Sequence, residues 1–229
     1  MIPKVIYKTG PILNPKINKI NQNLEKLNPD WSIKYYNDED CLNFLLNDFQ
    51  NDNPHFKQNV IKGYNKLIPK AYKADLWRLC IIYQYGGLYL DFSSELYFPI
   101  EKIINLQKDF IIALDACGRG LQIGFFAGIK NHPFLKKYIC QILINIKNKY
   151  YGIGSLSPTG PMCAWNVAYE YNYIDKIDIP IKLYAGGKFK LRESLQTVGK
   201  RKKKNHNELI GYSKKTHYDT LWHKKAIYN

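Results

Sequence analysis

No stretch of the 229-residue sequence approaches the roughly 20 consecutive apolar residues that cross a bilayer. Met1-Ile2-Pro3-Lys4 is not the opening of a signal peptide, so a soluble, cytoplasmic protein with no transmembrane segment is expected. The five cysteines (Cys41, Cys80, Cys117, Cys140, Cys163) are odd in number and widely spaced. Without a C-x-x-C pair or a Cys/His cluster at zinc spacing they read as reduced core thiols, which argues against a disulfide scaffold or a zinc module. The Gly-x-Gly-x-x-Gly fingerprint is missing after the first strand, and the glycine-rich stretch at 152–160 lacks a Gly-Lys-Ser/Thr ending. A dinucleotide site and a P-loop are therefore not expected. No internal repeat, heptad array or break in composition divides the chain, and residues 1–229 are read as one domain.

Hydrophobic residues at 45% and aromatics at 14% place the chain among globular proteins. Its net charge of +15 is uneven: residues 182–229 hold 13 Lys or Arg against three acids, leaving only +5 for everything before them. The basicity centres on Lys200-Arg201-Lys202-Lys203-Lys204. It reads either as a solvated run that keeps the protein soluble or as a patch that attracts phosphates, an anionic glycan, nucleic acid or, by peripheral contact, an anionic membrane surface. No nucleic-acid-binding motif accompanies the charge, and no nucleic-acid partner is expected.

Strand and helix alternate along the first half. Ile2 to Lys8 reads as a first strand, and Asn14-Pro15 as the cap and first position of a helix with Ile17, Ile20, Leu24 and Leu27 on one face. Trp31, Ile33 and Tyr35 alternate with polar neighbours as a second strand, and Asn37 with Asp38, Glu39 and Asp40 marks another helix start. Residues 54 to 67 read as a weaker helix or loop. Residues 110 to 114 and 123 to 129 read as strands, His132-Pro133-Phe134 and Pro161 as helix openings, and Ile179 to Tyr184 as a late strand. Gly186-Gly187 and the basic run predict a mobile segment over 185–207. The alternation predicts an α/β layer with a mostly parallel central sheet.

The most informative stretch is 71 to 99: an apolar helix, a Gly86-Gly87 stop, a short strand Leu88-Tyr89-Leu90, and the acid Asp91 at its carboxyl end. Ligands bind at that edge of open α/β sheets. Asp75 and Arg78 interrupt the helix three positions apart and so share one face. A helix apolar nearly all round is buried, and a buried carboxylate and guanidinium each need a partner. They are either a structural ion pair or a ligand-binding pair beside Asp91.

The pattern Ala74-Asp75-x-x-Arg78, then Tyr85-Gly86-Gly87-Leu88-Tyr89-Leu90-Asp91, resembles the DXD-containing sugar-binding region of family 32 glycosyltransferases, which include the initiating α-1,6-mannosyltransferase of fungi and capsular polysaccharide enzymes. Looser agreement extends to Ile2-Pro3-Lys4-Val5-Ile6, Asn28-Pro29, His132-Pro133-Phe134 and Thr159-Gly160-Pro161. The resemblance implies a single-domain GT-A fold and a retaining, metal-dependent hexosyltransferase of polysaccharide biosynthesis. Its partners would be a UDP- or GDP-linked sugar donor and a glycan or protein hydroxyl acceptor. Asp75 and Asp91 would be catalytic, and Tyr7, Asp75, Arg78 and Asp91 would contact the donor. The metal would be Mn²⁺ or Mg²⁺.

Where the family has Asp-x-Asp-x-Glu, this chain has Asp91-Phe92-Ser93-Ser94-Glu95, so Ser93 stands at the position of the usual metal ligand. A hydroxyl is a poorer ligand for a hard cation than a carboxylate. Three alternatives follow: Asp91 and Glu95 hold the ion together, Ser93 binds it through water, or metal binding is lost and the chain is a non-catalytic nucleotide-sugar or glycan binder. By the same resemblance the tail supplies His217, in preference to His223, to the metal or diphosphate, and Trp222 as a wall of the donor pocket.

Overall fold

The computed structural model describes residues 1–11, 15–51, 53–116, 118, 120–201 and 216–229; the expected cap Asn14, Cys117 and Lys202 to Lys204 lie outside them. The first strand, β1 (Val5–Thr9), runs into α1 (Pro15–Leu27), which buries Ile17, Ile20 and Leu24 as its spacing predicts. Strand β2 (Ser32–Tyr36) follows, and then α2 (Asp38–Asn43), continued by a π-helical turn, Phe44–Asp48. Asn37 caps α2: its Oδ1 accepts from the amides of Glu39 and Asp40 at 2.8 and 3.0 Å, and its own amide donates to Asp40 Oδ2 at 2.9 Å. The acids that follow Asn37 thus suit a helix start, where backbone amides and the macrodipole favour negative charge.

Residues 54 to 67, expected as weak, form a full helix, α3 (Pro54–Lys66), with Asn53 as its side-chain cap. Helix α4 (Lys70–Tyr85) buries nine of its sixteen residues and ends at Gly86, whose φ of 69° is strained for any other residue. Burying Leu76, Leu79, Ile81 and Ile82 stabilises the fold by about 1.5–3 kcal/mol per side chain. Strand β3 (Gly87–Leu90) starts at once, pressed so closely on β1 that a Cβ at Gly87 would lie 2.7 Å from the Val5 carbonyl oxygen.

Strand β4 (Ser94–Leu96) precedes β5 (Phe110–Leu114) and β6 (Leu121–Gly128); α5 (Pro133–Lys147) and α6 (Pro161–Glu170) follow. The chain then returns through β7 (Ile181–Leu183), β8 (Lys188–Leu191) and β9 (Thr197–Arg201), and a last described helix, α7, spans Tyr218–His223. The strands form one sheet in the order β2-β1-β3-β6-β5-β7-β8-β9-β4. Helices α3 to α6 contribute to the core on one side of the sheet; Leu24 of α1, Trp31 and Ile100 contribute to the core on the other.

The expected mostly parallel sheet is corrected. Among the described strands, β1·β2, β1·β3 and β5·β7 pair in parallel, and β3·β6, β5·β6, β7·β8, β8·β9 and β4·β9 are antiparallel. A parallel pair needs a crossover of a dozen or more residues, and the connections from β5 through β9 mostly lack one. Within the segment expected to be mobile, 188–191 and 197–201 are paired strands, while 202–207 lie outside the described residues. Among the described residues, no helix is long and apolar enough to cross a membrane.

Candidate functional site

A cavity of about 490 Å³ opens at the carboxyl ends of β1 and β3. Its walls include Thr9 at the end of β1 and Gly10 after it, Asp75 and Arg78 from α4, Asp91 after β3, and Arg201 at the end of β9. The loop before α6 and the start of α7 complete it with Ser155, Pro161 and His217.

Arg78 organises the wall. Its Nη1 donates to Asp91 Oδ1 at 3.1 Å and to the Ile123 carbonyl at 3.0 Å, and its Nε donates to the Ala74 carbonyl at 3.1 Å. Its Nη2 lies 3.3 Å from Asp75 Oδ1, and the Tyr89 ring lies 4.4 Å from the guanidinium carbon. Burial opposes the charge of Arg78, but Tyr89, Asp75 and Asp91 more than offset it and hold the guanidinium ionised. Asp75 accepts a 2.7 Å hydrogen bond from Thr159 Oγ1. Burial pushes the Asp75 carboxyl up to about 7, against the pull of Arg78 and Thr159. The Thr159 backbone is pinned by Tyr138 of α5, whose hydroxyl donates to the carbonyls of Thr159 and Gly160.

Asp91 is held from two sides. Oδ1 takes Arg78 and, at 3.3 Å, the Tyr89 hydroxyl; Oδ2 takes Arg201 Nη1 at 3.3 Å. Its backbone amide donates to the Gly124 carbonyl at 2.9 Å, and a Cβ at 124 would run into Oδ2 of Asp91. Gly124 is thus the gap into which the carboxylate fits.

Of the other expected site residues, His217 alone is in the cavity wall. Ser93 is fully buried and does not line the cavity, and its hydroxyl has no hydrogen-bond partner among the described residues. Glu95 sits outside the cavity wall with Lys200 Nζ 3.7 Å away. His217 does line the cavity, and its Nδ1 caps α7 by accepting from the Asp219 amide at 3.3 Å. The exposed His223 is 3.8 Å from Asp219 Oδ2. Trp222 donates from Nε1 to the Tyr151 carbonyl at 2.7 Å and anchors α7 to the loop before α6 rather than walling the cavity. Tyr7 is buried behind the wall, stacked on Tyr85 with centroids 6.5 Å apart.

Two contributors to the site, Thr159 and Arg201, and one buried cation behind it, Lys8, carry little local signal in the sequence. Thr159 lay in a stretch noted only as Thr-Gly-Pro, and Arg201 was submerged in a basic run. Lys8 lay inside a strand: it is fully buried, its Nζ bonded to Asn21 Oδ1 at 2.9 Å, and burial lowers it to about 7 despite Asp91 and Glu95 nearby. An isolated Lys in an apolar strand was the one available signal for it.

A family model, the glycosyltransferase sugar-binding region containing the DXD motif, matches residues 15–111, somewhat under half of the chain. The finer family 32 suggested by the motif is not reached by this match. No curated protein matches the sequence. Among solved structures, the PaToxG glycosyltransferase is similar at 20% identity over 74% of this chain and 69% of that one, with a TM-score of 0.54. The ligand-free glycosyltransferase domain from the YGT toxin is similar at 10% identity over 78% and 79%, TM-score 0.56. The same domain with UDP bound gives 9% identity over the same shares, TM-score 0.54. At these identities the likeness is one of fold. The family match and that fold support a glycosyltransferase enzyme.

The DXD-containing family is in general dependent on divalent metal. In this chain, however, no group of three His, Cys, Asp or Glu side chains among the described residues can hold an ion. Asp91 meets two guanidinium groups, Glu95 faces Lys200, and Ser93 is buried away from the cavity. The described donor set therefore fits Mn²⁺ or Mg²⁺ poorly: the motif brings only Asp91 to the cavity, and two guanidinium groups already hold it.

Proposed function

We propose that the protein transfers a hexose from a nucleotide-diphosphate sugar, UDP- or GDP-linked, to a hydroxyl of a glycan or protein. The observation that carries this reading is the chain Thr159–Asp75–Arg78–Asp91–Arg201, which brings two carboxylates and two guanidinium groups to one cavity at the carboxyl edge of the sheet. Its size suits a donor-sized ligand. A carboxylate such as Asp75 can accept from sugar hydroxyls, and guanidinium groups offer planar forks of donors to a diphosphate. UDP bound to the YGT domain of similar fold supports a nucleotide donor.

In the transfer, the bond from the acceptor oxygen to the anomeric carbon forms as the bond from that carbon to the phosphate oxygen breaks. The electron pair leaves with the diphosphate, which also accepts the proton lost by the acceptor hydroxyl. Fixed positive charge at the departing diphosphate stabilises that transition state. We carry retention at the anomeric carbon as part of the same reading, on the resemblance of the motif alone.

The test is a panel of UDP- and GDP-sugars incubated with the purified chain, reading released nucleotide, followed by NMR of the anomeric proton in any glycoside formed. Release with one donor, abolished in Asp75→Asn, is the expected result. Failure of every donor to be cleaved or bound would overturn the reading.

A further inference from the structure

The acidic run at the end of β3 carries its own cations. Asp91 Oδ2 is 3.3 Å from Arg201 Nη1, Asp91 Oδ1 is 3.1 Å from Arg78 Nη1, and Glu95 Oε2 is 3.7 Å from Lys200 Nζ. The pairing is imposed by the sheet: β9 runs antiparallel to β4 with Ser94 opposite Arg201 and Glu95 opposite Lys200. Two consecutive basic residues are thereby laid against two consecutive residues of the D-x-S-x-E run, beside Asp91. Arg78 lies against both Asp75 and Asp91, and Arg201 lies against Asp91 from the other side. Among the described residues the motif's two acids, Asp91 and Glu95, each face a cation, and the side chain at the position of the usual second acid, Ser93, is a buried hydroxyl.

Arg201 also lines the cavity. Its guanidinium has five N–H donors, and among the described residues one of them is taken, by Asp91, which leaves others to offer to an anion. We infer that Arg201 takes the place of a divalent cation at the donor's diphosphate, with Asp91 holding Arg201 and Arg78 in place rather than ligating a metal. This rests on the nucleotide-sugar reading proposed above. As the bond to the anomeric carbon breaks, the electron pair settles on the diphosphate. Arg201 meets the growing charge with charge-assisted hydrogen bonds already oriented by Asp91. Asp91 is in this view a positioning residue for both arginines.

The experiment measures nucleotide release from the UDP- and GDP-sugar panel, and UDP and GDP binding by calorimetry, each in EDTA and in Mn²⁺. The wild-type chain is expected to release nucleotide and to bind it equally, within about two-fold, in both conditions. Arg201→Gln is expected to lose about 10²–10³-fold in release and about 10–100-fold in nucleotide affinity. Arg201→Lys keeps the charge and should recover part of both. Melting curves of both variants separate loss of function from loss of fold, and the lysine variant keeps the test open if the glutamine variant unfolds. Release and binding that vanish in EDTA and return with Mn²⁺ would overturn the inference while leaving the donor reading intact, and so would an Arg201→Gln variant that folds and behaves as wild type. Absence of release and binding in both conditions would remove the donor reading itself, and this inference with it.

Discussion

Arg78 and Asp91, thirteen residues apart in sequence, meet at 3.1 Å where the end of β3 passes α4, and the same guanidinium holds Asp75 3.3 Å away on its own helix. One buried cation therefore spans a local and a tertiary partner. Arg78→Gln leaves both carboxylates without it and is expected to cost about 3–5 kcal/mol of stability. Urea unfolding monitored by circular dichroism checks this. Arg78→Lys, with one compact charge in place of a fork, should recover only part of the loss.

The acidity of Asp75 sets a pH dependence. Its folded value, raised to about 7 from the usual 3.8, means the folded chain binds this proton more tightly than the unfolded chain. The contribution of Asp75 to stability is greatest below about pH 4, declines as pH rises toward 7, and is flat above. The melting temperature of Asp75→Asn relative to wild type should therefore climb over that window and then level. Nucleotide release, if it needs the ionised carboxylate, should rise along an acid limb centred near pH 7. A rate that stays level through that region would count against Asp75 in this role.

Thr159 tunes that limb. Its hydroxyl donates to the Asp75 carboxylate and favours the ionised form. Thr159→Val removes the donor at nearly constant volume, so the limb should move to higher pH, with a stability loss of about 1–3 kcal/mol. A limb left where wild type has it would show that the hydrogen bond does not act on Asp75.

Gly124 is a test of fit at Asp91. A methyl group there would collide with Oδ2 and would meet Gln122 Oε1 at 3.2 Å. Gly124→Ala should displace the carboxylate from Arg201, lowering nucleotide release by roughly 10²-fold, as small misplacements in a preorganised site do. Its stability should fall by about 1–3 kcal/mol, as for other overpacked sites.

Ser93 separates motif from geometry. Ser93→Asp restores the letters of the D-x-D motif but places a carboxylate in a fully buried position, so lower thermal stability and no gain in response to Mn²⁺ are expected. Ser93→Ala removes a buried hydroxyl without a described partner and should be as stable as wild type or slightly more so. A Ser93→Asp chain that gains Mn²⁺-dependent release would show that the position reaches the cavity after all.

Much of the molecule follows from short-range pattern. The helix Lys70–Tyr85, its stop at Gly86, the short strand and its terminal acid were readable because helical period, glycine conformation and strand burial are properties of neighbouring residues. The shared face of Asp75 and Arg78 follows from 100° per residue and nothing else. Long-range pairing decided the rest. The sheet turned antiparallel at β5·β6, β7·β8 and β8·β9, where connections were too short to cross over, and at β3·β6 and β4·β9 through pairing of segments far apart in the chain. Thr159 reached Asp75 across 84 residues of sequence, and Arg201 reached Asp91 across 110. Ser93 is buried away from the cavity wall and Trp222 packs against Tyr151, since exposure belongs to the assembled sheet and not to any local segment. By itself, the sequence determined that an acid ends the strand after α4 and that a carboxylate and a guanidinium share one face of that helix. Only the tertiary structure decided which cations face that acid, because strand order and register are set by contacts between segments far apart in the chain.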